Sequence, residues 1–147
     1  MKYLNTKQAA QFEERLKQLT VEHQPKWGKM DAAQMLEHLN RALENSMGEF
    51  EVKDSGNFFF KHIAKWSVLY APVSFPKNSP TAREYRISDP VDFEKSASLF
   101  KANLTKIAER SIDAPWSPHP LFGKMNGKQW KRLVWLHVDY HFNQFGV

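Results

Sequence analysis

The chain has 147 residues, a length that fits one domain able to bury a proper core. It has no cysteine, which excludes disulfides, thiolate metal sites and a cysteine nucleophile; histidine, carboxylates and water remain for any metal chemistry. The formal net charge is +5, but acidic residues are interleaved with the basic ones and no nucleic-acid-binding motif accompanies them, so no nucleic-acid partner is expected.

In chain order, residues 6–20 read as a first helix with Thr6 as cap and Phe12 and Leu16 facing the core. Residues 21–29 form a connection broken by Pro25 and Gly28, with His23 a solvated loop residue. Residues 30–50 read as a second helix, with Asp31 as N-cap and Gln34 at capping-box spacing. Its apolar stripe is Leu36, Leu39, Leu43, Met47 and Phe50, and His38 flanks that stripe beside Met35 and Ala42. Residues 51–57 are a polar turn, and 58–70 a short or irregular helix covering one end of the core, with His62 structural. The proline-bearing stretch 71–80 is a long loop and a candidate pocket wall, continued by 81–88. Asp89-Pro90 is expected to start a helix running to about Arg110. Residues 111–125 are a proline-rich connection into the last helix. No apolar run approaches the length of a membrane span and the N-terminus lacks the core of a signal peptide, so a cytoplasmic protein without a membrane partner is expected.

The last helix spans Asn126 to Gly146. Asn126 is its N-cap with Gln129 as capping-box partner, and Gly146 supplies the left-handed residue that closes it. Within it His137 and His141 lie four residues apart, so their rings point the same way with Cβ atoms roughly 6 Å apart. Trp130, Leu133, Val134 and Gln144 lie on or near that face, so the pair points towards the core. Such a pair can share one divalent ion, or it can be two histidines with ordinary hydrogen bonds. Two ligands are too few for a zinc-like site, which takes three protein ligands plus water, or four.

Three segments occur together: WGKMDAAQMLEHL with His38, HPLFG before the final helix, and HVDYHFNQFG at the end. The combination resembles the DinB/YfiT-like superfamily, in particular an uncharacterised branch ending in a histidine-rich helix followed by QFG. The resemblance implies a single all-α domain over residues 1–147. Its expected fold is a four-helix bundle in up-down-down-up order, with an irregular insertion between the second and third main helices. Many members bind a divalent metal through three histidines, one on the second helix and two on the last; carried over, these are His38, His137 and His141. Imidazole suits zinc, nickel and iron alike, so the residues do not choose the ion. Gln34 and Gln144 are candidates to fix the tautomers of the ligands.

Some relatives in the superfamily use a low-molecular-weight thiol such as mycothiol or bacillithiol to transfer or isomerise small molecules, and others are described as metal-dependent hydrolases. The leading expectation is therefore a metal-dependent thiol S-transferase acting on a small molecule. The alternatives are a hydrolase using metal-bound hydroxide and a non-enzymatic small-molecule-binding or stress-response module. A homodimer is a reasonable partner state. His119 is read as orienting its loop through a backbone hydrogen bond, with reach into a pocket as the alternative. Trp27, Trp116, Trp130 and Trp135 are pocket candidates, though large rings chiefly supply burial. Lys124, Lys128, Lys131 and Arg132 crowd the start of the final helix, where free amides and the dipole favour anions. Lys128 and Arg132 are thus candidate anion-binding residues, set against the simpler reading of a solvated basic face.

Overall fold

Asparagine and aspartate set the starts of the four longer helices in the computed structural model, which describes residues 1–71, 77, 79 and 81–147. Helix α1 (Thr6–Leu16) is capped by Asn5, not Thr6, because the extended Asn5 places its side chain on Gln8 N at 2.9 Å. It stops at Leu16, where the chain tightens: Leu19 N reaches back to Leu16 O and Leu19 itself is buried. Helix α2 (Ala32–Met47) carries the full capping box of Asp31 and Gln34. It ends three residues earlier than periodicity suggests, since Gly48 at φ +82° turns left-handed.

A π-helical turn (Phe60–Ala64) runs into helix α3 (Lys65–Tyr70), so the aromatic stretch is helical but irregular. Phe58, Phe59 and Trp66 are exposed there, and Leu69 is buried. The stretch 81–88 contains one 3-10 turn (Arg83–Tyr85) with Tyr85 buried. Much of the loop expected at 71–80 lies outside the described residues. Helix α4 (Phe93–Glu109) starts later than Asp89-Pro90. Its cap is Asp92, whose side chain accepts from Lys95 N at 2.9 Å, and Pro90 stays in the lead-in. Helix α5 (Gly127–Phe145) has the capping box of Asn126 and Gln129 and closes on left-handed Gly146.

Among the described residues the protein is all-helical, with five α-helices and no strand. Helix α2 packs on α4 and α5, α1 packs on α4 and α5, and α3 packs on α5. The shared core is built from Leu36, Leu39, Phe100, Leu104, Val138 and Phe142, all but fully buried. Phe142 meets Phe12 edge-on at 5.9 Å and Phe100 at 5.6 Å, joining three helices at one ring. Truncating such a residue to Ala typically costs about 3–5 kcal/mol. Arg15 ties the end of α1 to the end of α5, donating to Asp139, Asn143 and the Val147 carbonyl. With α2 and α5 both anchored to the core by apolar stripes, the polar residues flanking those stripes have fixed positions. No helix among the described residues is long and apolar enough to cross a membrane.

Candidate metal centre

Helix α2 supplies His38 and helix α5 supplies His137 and His141, and the structure brings the three together. His137 Nε2 lies 3.1 Å from His38 Nε2 and 3.1 Å from His141 Nε2. Candidate ligand atoms from all three rings lie within 4.8 Å of one another. His38 and His141 are buried, and His137 is half-buried.

The partners on the far side of two rings settle where their protons are. His38 Nδ1 lies 2.8 Å from the Tyr85 carbonyl, which can only accept, so Nδ1–H donates. His141 Nδ1 lies 2.7 Å from Gln144 Oε1. The Gln144 amide is oriented by its other end, because Nε2 donates to the Trp27 carbonyl at 2.6 Å. Oε1 therefore faces His141, and His141 Nδ1–H donates. Each neutral ring carries one ring proton, so Nε2 of His38 and of His141 are both bare lone pairs. Both are aimed at His137 Nε2, which can bring at most one proton to the group. The three nitrogens thus present more acceptors than donors to one point.

Electrostatics keep this arrangement neutral. Burial pushes the His141 pKa down to about 3, helped by the mutual repulsion that protonating His38 as well would bring and opposed by the Gln144 hydrogen bond. Burial also lowers His38, against the raising effect of the Tyr85 carbonyl. His137 is held well below the ordinary imidazole range by burial and then by the repulsion that would arise if it and its histidine neighbours were protonated together. Neutral imidazole is the form that ligates metals. Two nitrogens about 2 Å from one ion at a tetrahedral angle lie about 3.3 Å apart; the two observed separations of 3.1 Å are close to that. By proton count, charge state and spacing, the residues fit a divalent ion.

The triad forms part of the wall of a cavity of about 530 Å³. Leu43, Phe122, Trp130, Leu133 and Val134 line it with apolar surface, and His119 also faces it. Exposed Lys29 and Arg86 contribute to its lining, and no Asp or Glu does so among the described residues. Tyr85 sends its hydroxyl away from the triad to Asn45 Oδ1 at 2.7 Å, and burial pushes its pKa upward.

Other sequence expectations find different places. Gln34 does not touch His38: its side chain is spent on the Asp31 cap and on the Asp89 carbonyl. The Tyr85 carbonyl takes the role instead. Lys128 and Arg132 are outside the cavity lining. Arg132 donates to the Lys2 and Leu69 carbonyls, and Lys128 lies over the Tyr3 ring. Trp27 and Trp130 line the cavity, while Trp116 and Trp135 do not. His62 is exposed beside Phe58, and His23 caps the turn at Thr20. Trp27 and Tyr85 act here through backbone carbonyls, which no side-chain pattern announces.

Fold and site together define an all-helical protein with a buried three-histidine cluster open to an apolar cavity. The chain belongs to the DUF1569 family, whose model matches residues 1–146 and is described as a protein of unknown function. No curated protein and no solved structure matches it.

Proposed function

We propose that this protein is a divalent-metal-dependent enzyme with His38, His137 and His141 as ligands, acting on a small molecule as a thiol-dependent S-transferase. The observation that carries the reading is the convergence of three neutral imidazoles at the wall of an apolar cavity. Three protein ligands leave a coordination position open, the arrangement of a catalytic rather than a structural site. A bound ion would supply Lewis acidity and lower the pKa of a thiol or water. The chain's own residues do the rest. Gln144 and the Tyr85 carbonyl hold two ligands in one tautomer, and Leu43, Val134 and Phe122 keep bulk water from the reacting end. Lys29 and Arg86 give a carboxylate-bearing thiol a complementary charge. The family resemblance supports the finer reading of the fold, a DinB/YfiT-like four-helix bundle of α1, α2, α4 and α5.

Metal analysis of untagged protein tests the proposal. One zinc, nickel or iron ion per chain is expected, lost in His137→Ala/His141→Ala and retained in His23→Ala and His62→Ala. Losing one ligand should weaken binding by more than the 10–100-fold typical of losing an outer partner. Full occupancy in the double variant would refute the site. Turnover of an electrophile only when a thiol is added supports the transferase; turnover with water alone transfers the proposal to a hydrolase.

A further inference from the structure

His119 belongs to the short connection between α4 and α5, and its two ring nitrogens have different surroundings. The backbone holds the residue in place: His119 N donates to Gly123 O and Gly123 N donates to His119 O, both at 2.8 Å. Gly123 closes this loop at φ +66°, where a side chain would be strained. Inside the loop His119 Nδ1 accepts from both Leu121 N and Phe122 N, each at 3.1 Å. A nitrogen accepting two N–H groups carries no proton. The neutral ring must therefore carry its proton on Nε2.

That second nitrogen has no protein partner among the described residues, and the ring lines the same cavity as the triad. It stacks on Phe122 at 4.5 Å and lies 5.3 Å from Trp130, so its neighbours are rings with no acceptor to offer. It is close enough to His137 that a proton on one ring would oppose a proton on the other. Burial pushes the His119 pKa down to about 3, which keeps the ring neutral. A neutral imidazole N–H held in one tautomer is a suitable electrophile towards a carbonyl oxygen.

We propose that His119 Nε2–H is a fixed hydrogen-bond donor for the cavity's ligand, and that the ligand is an apolar small molecule bearing a carbonyl oxygen. The apolar walls take the body of the ligand, and no carboxylate in the described lining repels its oxygen. The assignment rests on the cavity being the binding site, but not on a metal being bound.

Two substitutions separate the two nitrogens. In His119→Asn the side-chain oxygen can still accept from Leu121 N and Phe122 N, while the distal donor is gone. In His119→Gln the distal donor is kept and the loop acceptor is lost. The probes are acetophenone and α-methylstyrene, which differ in C=O against C=CH2. With metal-free full-length protein, acetophenone should bind up to about tenfold tighter than its hydrocarbon match, the scale of one hydrogen bond. That preference should vanish in His119→Asn and persist in His119→Gln. Imidazole nitrogen NMR of the wild type should show His119 protonated on Nε2, with that proton shifting on acetophenone addition only. A wild-type proton on Nδ1, equal binding or no binding of the two probes, or an unchanged preference in His119→Asn would overturn the proposal. Metal occupancy is read separately, so failure of the triad as a metal site would leave these outcomes distinct.

Discussion

The two halves of α5 use the same helical geometry in opposite ways. In the C-terminal half, His137, His141 and Gln144 turn inward, and each polar atom is positioned by another. In the N-terminal half, Lys131 and Arg132 reach out to backbone carbonyls of Ala108, Lys2 and Leu69. Those cations act as ties between the last helix and distant chain, and the amides at that end are met by the Asn126–Gln129 capping box. Residue type alone suggests an anion site in one half and a metal site in the other. Only the second is backed by convergent ring nitrogens in which acceptors outnumber donors. Local charge density is therefore a weaker guide than the bookkeeping of which donor meets which acceptor.

Acidification should separate the halves most. His141 and His119 have pKa values near 3 in the fold against 6.5 ordinarily, and His38 and His137 are lowered as well. The unfolded chain then binds protons that the folded chain refuses. Stability of the metal-free protein is complete above about pH 6.5 and falls as pH drops from there towards 3. Each group contributes a slope of up to about 1.4 kcal/mol per pH unit. Thermal melts at pH 7 and pH 5 should show the loss, and Lys128→Gln/Arg132→Gln should leave the slope unchanged. A pH-independent melting temperature over that range would contradict the neutral triad.

Next in size is the contrast between the two glutamines. Gln144→Ala strips His141 of its Nδ1 partner and leaves the Trp27 carbonyl unmet, so metal affinity should drop about 10–100-fold. Stability should fall by about 1–3 kcal/mol. Gln34→Ala removes a capping contact, at about 1 kcal/mol, and should leave metal affinity alone. Titration calorimetry and denaturant melts read the two effects separately; equal metal affinities would erase the distinction. The smallest effect belongs to the basic half. Arg132→Gln should lower stability by about 1 kcal/mol through its lost carbonyl bonds. It should not change the binding of anionic ligands at low or high salt, and a large loss of anion affinity would restore the first turns of α5 as a ligand site.

How much of this was legible in the sequence follows from the range of each interaction. Caps that act within one turn, such as Asp31 with Gln34 and Asn126 with Gln129, are written locally and can be read locally. The inward direction of His137 and His141 follows from the 3.6-residue period shared with Trp130 and Val134. The starts of α1 and α4 were misplaced because Asn5 and Asp92 compete with Thr6 and Asp89 on nearly equal terms. The Tyr85 and Trp27 contributions were invisible, since a carbonyl looks the same in every residue and only tertiary structure brings it to a histidine. His119 was half legible: Pro-His-Pro marks a constrained loop, but not that Nδ1 serves the loop while Nε2 is left for the cavity.

The histidines that meet across the cavity are 99 residues apart in the chain. During synthesis α2 leaves the ribosome long before α5, so a growing chain carries His38 as a solitary imidazole exposed to any passing ion. The cluster comes into being only once α5 has emerged and docked against α2. Its assembly therefore waits on α5, and a product cut short before that helix would retain three of the four longer helices yet have no such centre.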